Sequence, residues 1–177
     1  WPWGSFLKRR IFAALADRAV KRGGFDIVHG HGDGFSQDIL SLHNCVHAAH
    51  EAIHGGPLPP RSGVGLIHER QLREGRFKLL IANSNLMREE AFSRFDVPRE
   101  KIRVIYPGYD PARFNAGARG KYRGVTRREL GYLKSDVVFG LITSGDFVKR
   151  GVAPFLEAFA RLWRQTKIPV KALIIGK

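Results

Sequence analysis

Short apolar runs separated by helical stretches restrict the fold of this chain more than any other feature. Phe25-Asp-Ile-Val-His29, Lys78-Leu-Leu-Ile-Ala82, Ile102-Arg-Val-Ile-Tyr106, Asp136 to Thr143 and Val170 to Ile175 are each five to eight residues long and mostly bounded by Gly, Pro or Asn. Runs of that length and composition read as buried parallel strands. Between them the period changes to that of a helix. Leu7, Ile11, Ala14 and Leu15 mark an amphipathic helix over residues ~5 to 22, closed by Gly23-Gly24. Met87, Ala91 and Phe95 stack at i, i+4 and i+8 behind Ser84, a candidate N-cap, and Val97-Pro98 stops that helix. Val152, Phe155, Leu156, Phe159, Leu162 and Trp163 mark a third. Gly63 to Gly75 has helical composition, while Gln37 to His54 fits either a strand followed by a helix or one longer helix. Alternation of strand and helix places the chain in the α/β class, a parallel sheet covered by helices.

The organisation is uneven along the chain. Residues 1–112 hold most of the alternation. Residues 113–135, in a stretch rich in Gly and Arg and poor in large apolar side chains, suggest a linker or crossover, and residues 136–177 form one βαβ unit. A lone βαβ unit leaves its sheet unpaired, so a second domain is expected to begin there and not to finish. Trp1-Pro-Trp-Gly-Ser has the look of a cut or processed start.

No apolar run approaches the ~20 residues that span a bilayer. The single cysteine, Cys45, excludes an intrachain disulfide and suits a reducing, cytoplasmic setting; by itself it reads as a small buried apolar residue. Thirty Lys+Arg against sixteen Asp+Glu give a formal charge of +14, which attracts phosphate-rich partners: nucleic acid, an anionic membrane face or a phosphorylated substrate. A basic nucleic-acid-binding module is therefore an alternative, carried by the charge and the Arg119 to Arg128 stretch. No zinc-finger, RNP or helix-turn-helix signature supports it, and nucleic acid is not the expected partner.

Two sets of residues are candidates for chemistry. Lys149 and Arg150 stand where a strand passes into a helix, with Gly145 and Gly151 freeing the backbone; cations beside a helix N-terminus suit a diphosphate. The seven histidines all fall between His29 and His68. His29 and His31 follow the first strand, on the side where parallel sheets meet ligands. His43, His47, His50 and His54 share one face if they lie on one helix, a spacing able to chelate a metal, although no metal site is expected there.

Three stretches together resemble the GT-B glycosyltransferases of family four. They are Phe25 to His31, the block from Ile81-Ala-Asn-Ser-Asn85 through Val97-Pro-Arg-Glu-Lys-Ile-Arg-Val-Ile-Tyr-Pro-Gly-Tyr-Asp-Pro-Ala-Arg-Phe114, and Val138 to Phe159. Ser144-Gly-Asp-Phe-Val-Lys-Arg-Gly151 is similar to the lipopolysaccharide-core glucosyltransferases in particular. The resemblance implies two Rossmann-like, doubly wound parallel-sheet domains, here only partly present, with the acceptor on the first and the nucleotide-sugar on the second. It implies a retaining hexosyltransferase that uses a nucleotide diphosphate sugar such as UDP-glucose and a glycan or lipid-linked acceptor such as lipopolysaccharide core. No cofactor or metal is implied, and the work is placed in the cytoplasm, peripheral to the inner face of the membrane.

Carried residue by residue, the resemblance assigns catalysis to Lys149, Arg150 and His31. Donor binding falls to Pro107, Gly108, Gly145, Asp146, Lys149, Arg150 and Gly151, and acceptor binding to His29, His31, His43 and His47. The family's Arg, five residues ahead of a Lys-Gly pair, is replaced here by Gly145, with Arg150 at the Lys position; Lys149 is expected to supply the missing cation. Gly108 is expected to turn the chain with a positive φ. The family's opening glycine-rich loop and its downstream Glu-x7-Glu segment are missing from these 177 residues, which by themselves are not expected to turn over; a non-catalytic fragment that binds only acceptor is a further alternative.

Overall fold

A computed structural model of the chain describes residues 2–32 and 34–176; of the expected histidine loop, Asp33 lies outside the described residues. The chain divides into two units, Trp1–Gly108 and Tyr109–Lys177. In the first unit, helix α1 (Pro2–Gly23) leads to β1 (His29–Gly30), β2 (Ile39–Leu42), α2 (Val46–His54), α3 (Gly63–Glu74), β3 (Leu79–Ala82), α4 (Asn85–Phe95) and, after a 3-10 turn at Arg99–Lys101, β4 (Ile102–Val104). In the second, α5 (Gly117–Glu129) precedes β5 (Val137–Ile142), α6 (Val152–Gln165) and β6 (Val170–Ile175).

The first unit is built on a four-stranded parallel sheet in the order β1-β2-β3-β4. Register puts Leu40 beside Leu80 and Leu80 beside Ile102, and none of the three is more than 3% exposed. Burying a side chain of that size stabilises by about 2 kcal/mol, so this row is the spine of the core. Leu42, Leu72, Phe77, Met87, Ala91, Phe95 and Val97 close around it. Helix α4 forms as its sequence dictates: Ser84 Oγ accepts from Met87 N at 3.1 Å, and Met87, Ala91 and Phe95 are buried. Its Arg94 guanidinium forks onto Glu51 of α2 at 2.6 and 2.9 Å and also meets Glu90, tying the two helices together. The second unit is a parallel pair, with β5 and β6 in register from Val137↔Val170 to Ile142↔Ile175.

Several expectations change. The apolar stripe expected to bury α1 faces out: Leu7, Ile11 and Leu15 are at least half exposed, and it is Ala13, 1% exposed, that packs inward. A methyl group lets α1 lie close to α3, which larger side chains would prevent. The first strand pairs only over His29–Gly30; among the described strands β1 lies at the edge, and upstream Asp38 takes over, its Oδ2 accepting from Val28 N at 2.9 Å. Phe25 and Ile27 remain exposed. The stretch 113–135 holds α5, a helix with no buried residue, where composition suggested linker. Arg127 explains part of its order, since its Nη2 donates to the carbonyls of Leu133 and Asp136. The ambiguity over 37–54 resolves as strand then helix, so His43 lies ahead of α2 and the four histidines do not share a helix face.

Among the described residues no helix is long and apolar enough to cross a membrane.

Candidate functional site

In the first unit the carboxyl ends of the parallel strands collect the polar side chains. Beyond β1 comes His31, beyond β2 His43 and Asn44, beyond β3 Asn83 and Ser84, and beyond β4 Tyr106. A parallel sheet leaves this edge open to ligand, because its crossovers return to the opposite end. Three of the expected acceptor residues come together there. The rings of His29 and His31 stack with centroids 4.6 Å apart, and those of His31 and His43 at 5.8 Å. All three are exposed. His29 is held in place, since its Nε2 shares a 2.8 Å hydrogen bond with Ser41 Oγ on β2.

The loop that carries His31 is fastened from below. Asp17 Oδ1 accepts from Phe35 N and Ser36 N at 3.0 and 2.9 Å, and Gln71 Nε2 donates to Gly34 O at 2.5 Å. Gly30 leaves room for the buried Gln37, whose Oε1 would stand 2.9 Å from a Cβ at this position and would have to shift. On the far side Asn83 Nδ2 donates to His43 O at 2.7 Å, and Asn85 Nδ2 to the Tyr106 hydroxyl at 3.0 Å. A groove of about 280 Å3 opens beside His43, between the starts of α2 and α4.

His47 does not join the stack. Its ring meets His68 at 6.0 Å and the edge of Phe95 at 5.3 Å, on the core side of α2. Ser41 and Asn83, which hold two of the stacked residues, went unnoticed as site residues in the sequence. Asn83 carries a signal, an Asn-Ser pair closing a strand; Ser41 carries none, being one small polar residue inside a buried run. Pro107 and Gly108 follow β4 as exposed coil. Gly108 is not among the glycines with positive φ, and the turn expected at Pro107-Gly108 falls later, where Phe114 N donates to Asp110 O at 2.9 Å.

In the second unit, residues 145–151 connect β5 to α6 as a compact turn. Gly145 (φ 80°) and Gly151 (φ 73°) take the left-handed conformation that side chains resist. Asp146 Oδ1 accepts from Val148 N and Lys149 N at 3.0 and 3.2 Å, so this carboxylate shapes the loop. Lys149 and Arg150 are exposed, and among the described residues neither makes an ion pair. The helix offers less than a bare N-terminus would. Val152 N already donates to Phe147 O at 3.1 Å and Pro154 has no N–H, which leaves Ala153 as the free first-turn amide among the described residues. Anion affinity at this loop therefore rests on the two cations.

Residues 1–113 match the sequence profile of glycosyltransferase family 4. The crystal structure of WaaG, a glycosyltransferase involved in lipopolysaccharide biosynthesis, resembles the chain with a TM-score of 0.70 at 20% identity, over 93% of this chain and 46% of WaaG. The chain thus spans a little under half the length of that protein, and shares with it the α/β GT-B fold in part. No curated protein matches the sequence.

Proposed function

The chain belongs to glycosyltransferase family 4, and from that premise we propose that it is part of a retaining hexosyltransferase taking its sugar from a nucleotide diphosphate donor such as UDP-glucose. The acceptor is a glycan or a lipid-linked glycan such as lipopolysaccharide core. The observation that carries this reading is the stack of His29, His31 and His43 at the open edge of the first sheet, which offers several imidazole nitrogens over a short span. Such a row binds sugar hydroxyls, accepting and donating hydrogen bonds at neutral pH.

The second unit supplies the complementary charge. Cleaving the bond between sugar and diphosphate puts negative charge on the departing oxygen, and cations aimed at that oxygen lower the barrier. Lys149 and Arg150, between two left-handed glycines in a turn braced by Asp146, are the residues we assign to this role. Two adjacent cations can perform the neutralisation that a divalent ion performs elsewhere, which supports transfer without a metal. The departing phosphate can itself take the acceptor proton on the same face of the sugar, giving retention. Exposed basic residues of α5, such as Arg119, Lys121 and Arg123, favour work at a cytoplasmic membrane face, where anionic lipids accumulate cationic protein.

The test is turnover of the full-length protein carrying Lys149→Ala together with Arg150→Ala. Removing both cations is expected to lower kcat by at least ~100-fold with the fold intact by circular dichroism. An unchanged kcat overturns the assignment of the leaving-group site.

A further inference from the structure

Away from the open sheet edge, where α2, α3 and α4 meet, three side chains with metal-binding chemistry converge. Cys45, His47 and His68 each place one donor atom within 4.8 Å of the other two. They come from separated parts of the chain: Cys45 is the N-cap of α2, His47 lies in its first turn, and His68 sits in the middle of α3. Cys45 and His68 are each 5% exposed. His47 Nδ1 and His68 Nε2 are buried without a hydrogen-bond partner. Phe95 turns its ring edge-on to both imidazoles, at 5.3 and 5.6 Å, and keeps the far side apolar.

Two orphaned, buried ring nitrogens on imidazoles grouped with a thiol are costly as they stand, because a buried acceptor or donor without a partner forfeits its hydration. We propose that Cys45, His47 and His68 bind a zinc-type divalent transition metal ion, through Sγ, Nδ1 and Nε2 respectively. A tetrahedral ion bound at ~2.0 to 2.3 Å from its ligands needs donors somewhat closer than 4.8 Å, an adjustment within the reach of side-chain rotation. Burial and the neighbouring His47 hold the His68 pKa down to about 4, keeping it neutral with a lone pair to give. Burial pushes the Cys45 thiol up, and the amides of His47 and Ala48 oppose this without either closing a capping hydrogen bond. On binding, the thiol proton leaves to solvent and the sulfur-metal bond forms in its place, so affinity rises with pH. Cys45 also lines the groove beside His43, which gives the ion a way in and leaves the fourth position to water. Because the ion joins α2 to α3, its role is to brace the helices beneath the acceptor edge, outside the transfer chemistry.

The experiment is titration of the full-length, chelator-stripped protein with Co2+ and then Zn2+. One Co2+ per chain is expected, with a near-ultraviolet sulfur-to-cobalt charge-transfer band and visible bands of tetrahedral intensity, all erased by Zn2+. Cys45→Ala fills the core with another small residue; it is expected to abolish the charge-transfer band and to weaken binding by at least ~100-fold. The double change His50→Ala, His54→Ala, a ring pair 4.4 Å apart elsewhere on α2, is expected to leave both unchanged. Absence of a one-to-one complex in the wild-type chain, a cobalt spectrum without the sulfur band, or loss of binding only in the His50/His54 variant would overturn the proposal. None of these readouts involves sugar transfer, so the site stands or falls apart from the proposed function.

Discussion

His29 and His68 are the same residue put to opposite uses. The first is exposed, hydrogen-bonded to Ser41 and stacked on a second imidazole; the second is enclosed by apolar neighbours and another histidine. Enclosure penalises the charged form, which lowers the His68 pKa from 6.5 to about 4. Its sign fixes a pH dependence. Between about pH 6.5 and 4 the unfolded chain protonates this residue and the folded chain does not, so stability present above pH 6.5 falls as the pH drops through that window. The loss is on the order of 3 kcal/mol for the metal-free protein. Denaturation midpoints measured from pH 7 to 4 in chelator should show it, and His68→Phe should flatten the profile. The abundance of histidine was visible in the sequence, yet its pairing was not: His68 reaches His47 only because α3 packs on α2, and spacing within one helix contains no trace of that.

Among the elements, α4 was readable in full because cap, apolar period and stop signal coincide within one segment. Ser84→Ala removes the side-chain acceptor for Met87 N and should cost about 1 kcal/mol, measured as a lower denaturant midpoint with an unchanged m-value. The turn between β5 and α6 was readable as glycines around two cations, while the role of Asp146 within it was not, since a carboxylate beside two cations looks the same in sequence whether it faces a ligand or the backbone. Helices α1 and α5 were harder for opposite reasons. The apolar stripe of α1 has helical spacing but faces out, and among its described side chains the buried one is Ala13. The helix of α5 buries none of its residues, and it is Arg127, bonded to two carbonyls beyond the helix, that fixes its end.

At the scale of the molecule, the α/β class and the positions of β3 to β6 followed from the alternation of short runs and periodic stretches, while β1 and β2 did not. What was invisible was register, which depends on partners far away in sequence. Leu80 shows the weight of that register: fully buried between Leu40 and Ile102, it should cost about 2 to 5 kcal/mol when changed to Ala, read by chemical denaturation. The order of the strands has a further consequence for how the chain is made. Each strand of the first unit pairs with the one synthesised just before it. A ribosome emitting ~5 to 20 residues per second therefore releases β2, then β3, then β4 onto an edge that is already waiting. Among the described residues no later strand is inserted between two earlier ones, so these four strands can pair during translation in the order in which they are read.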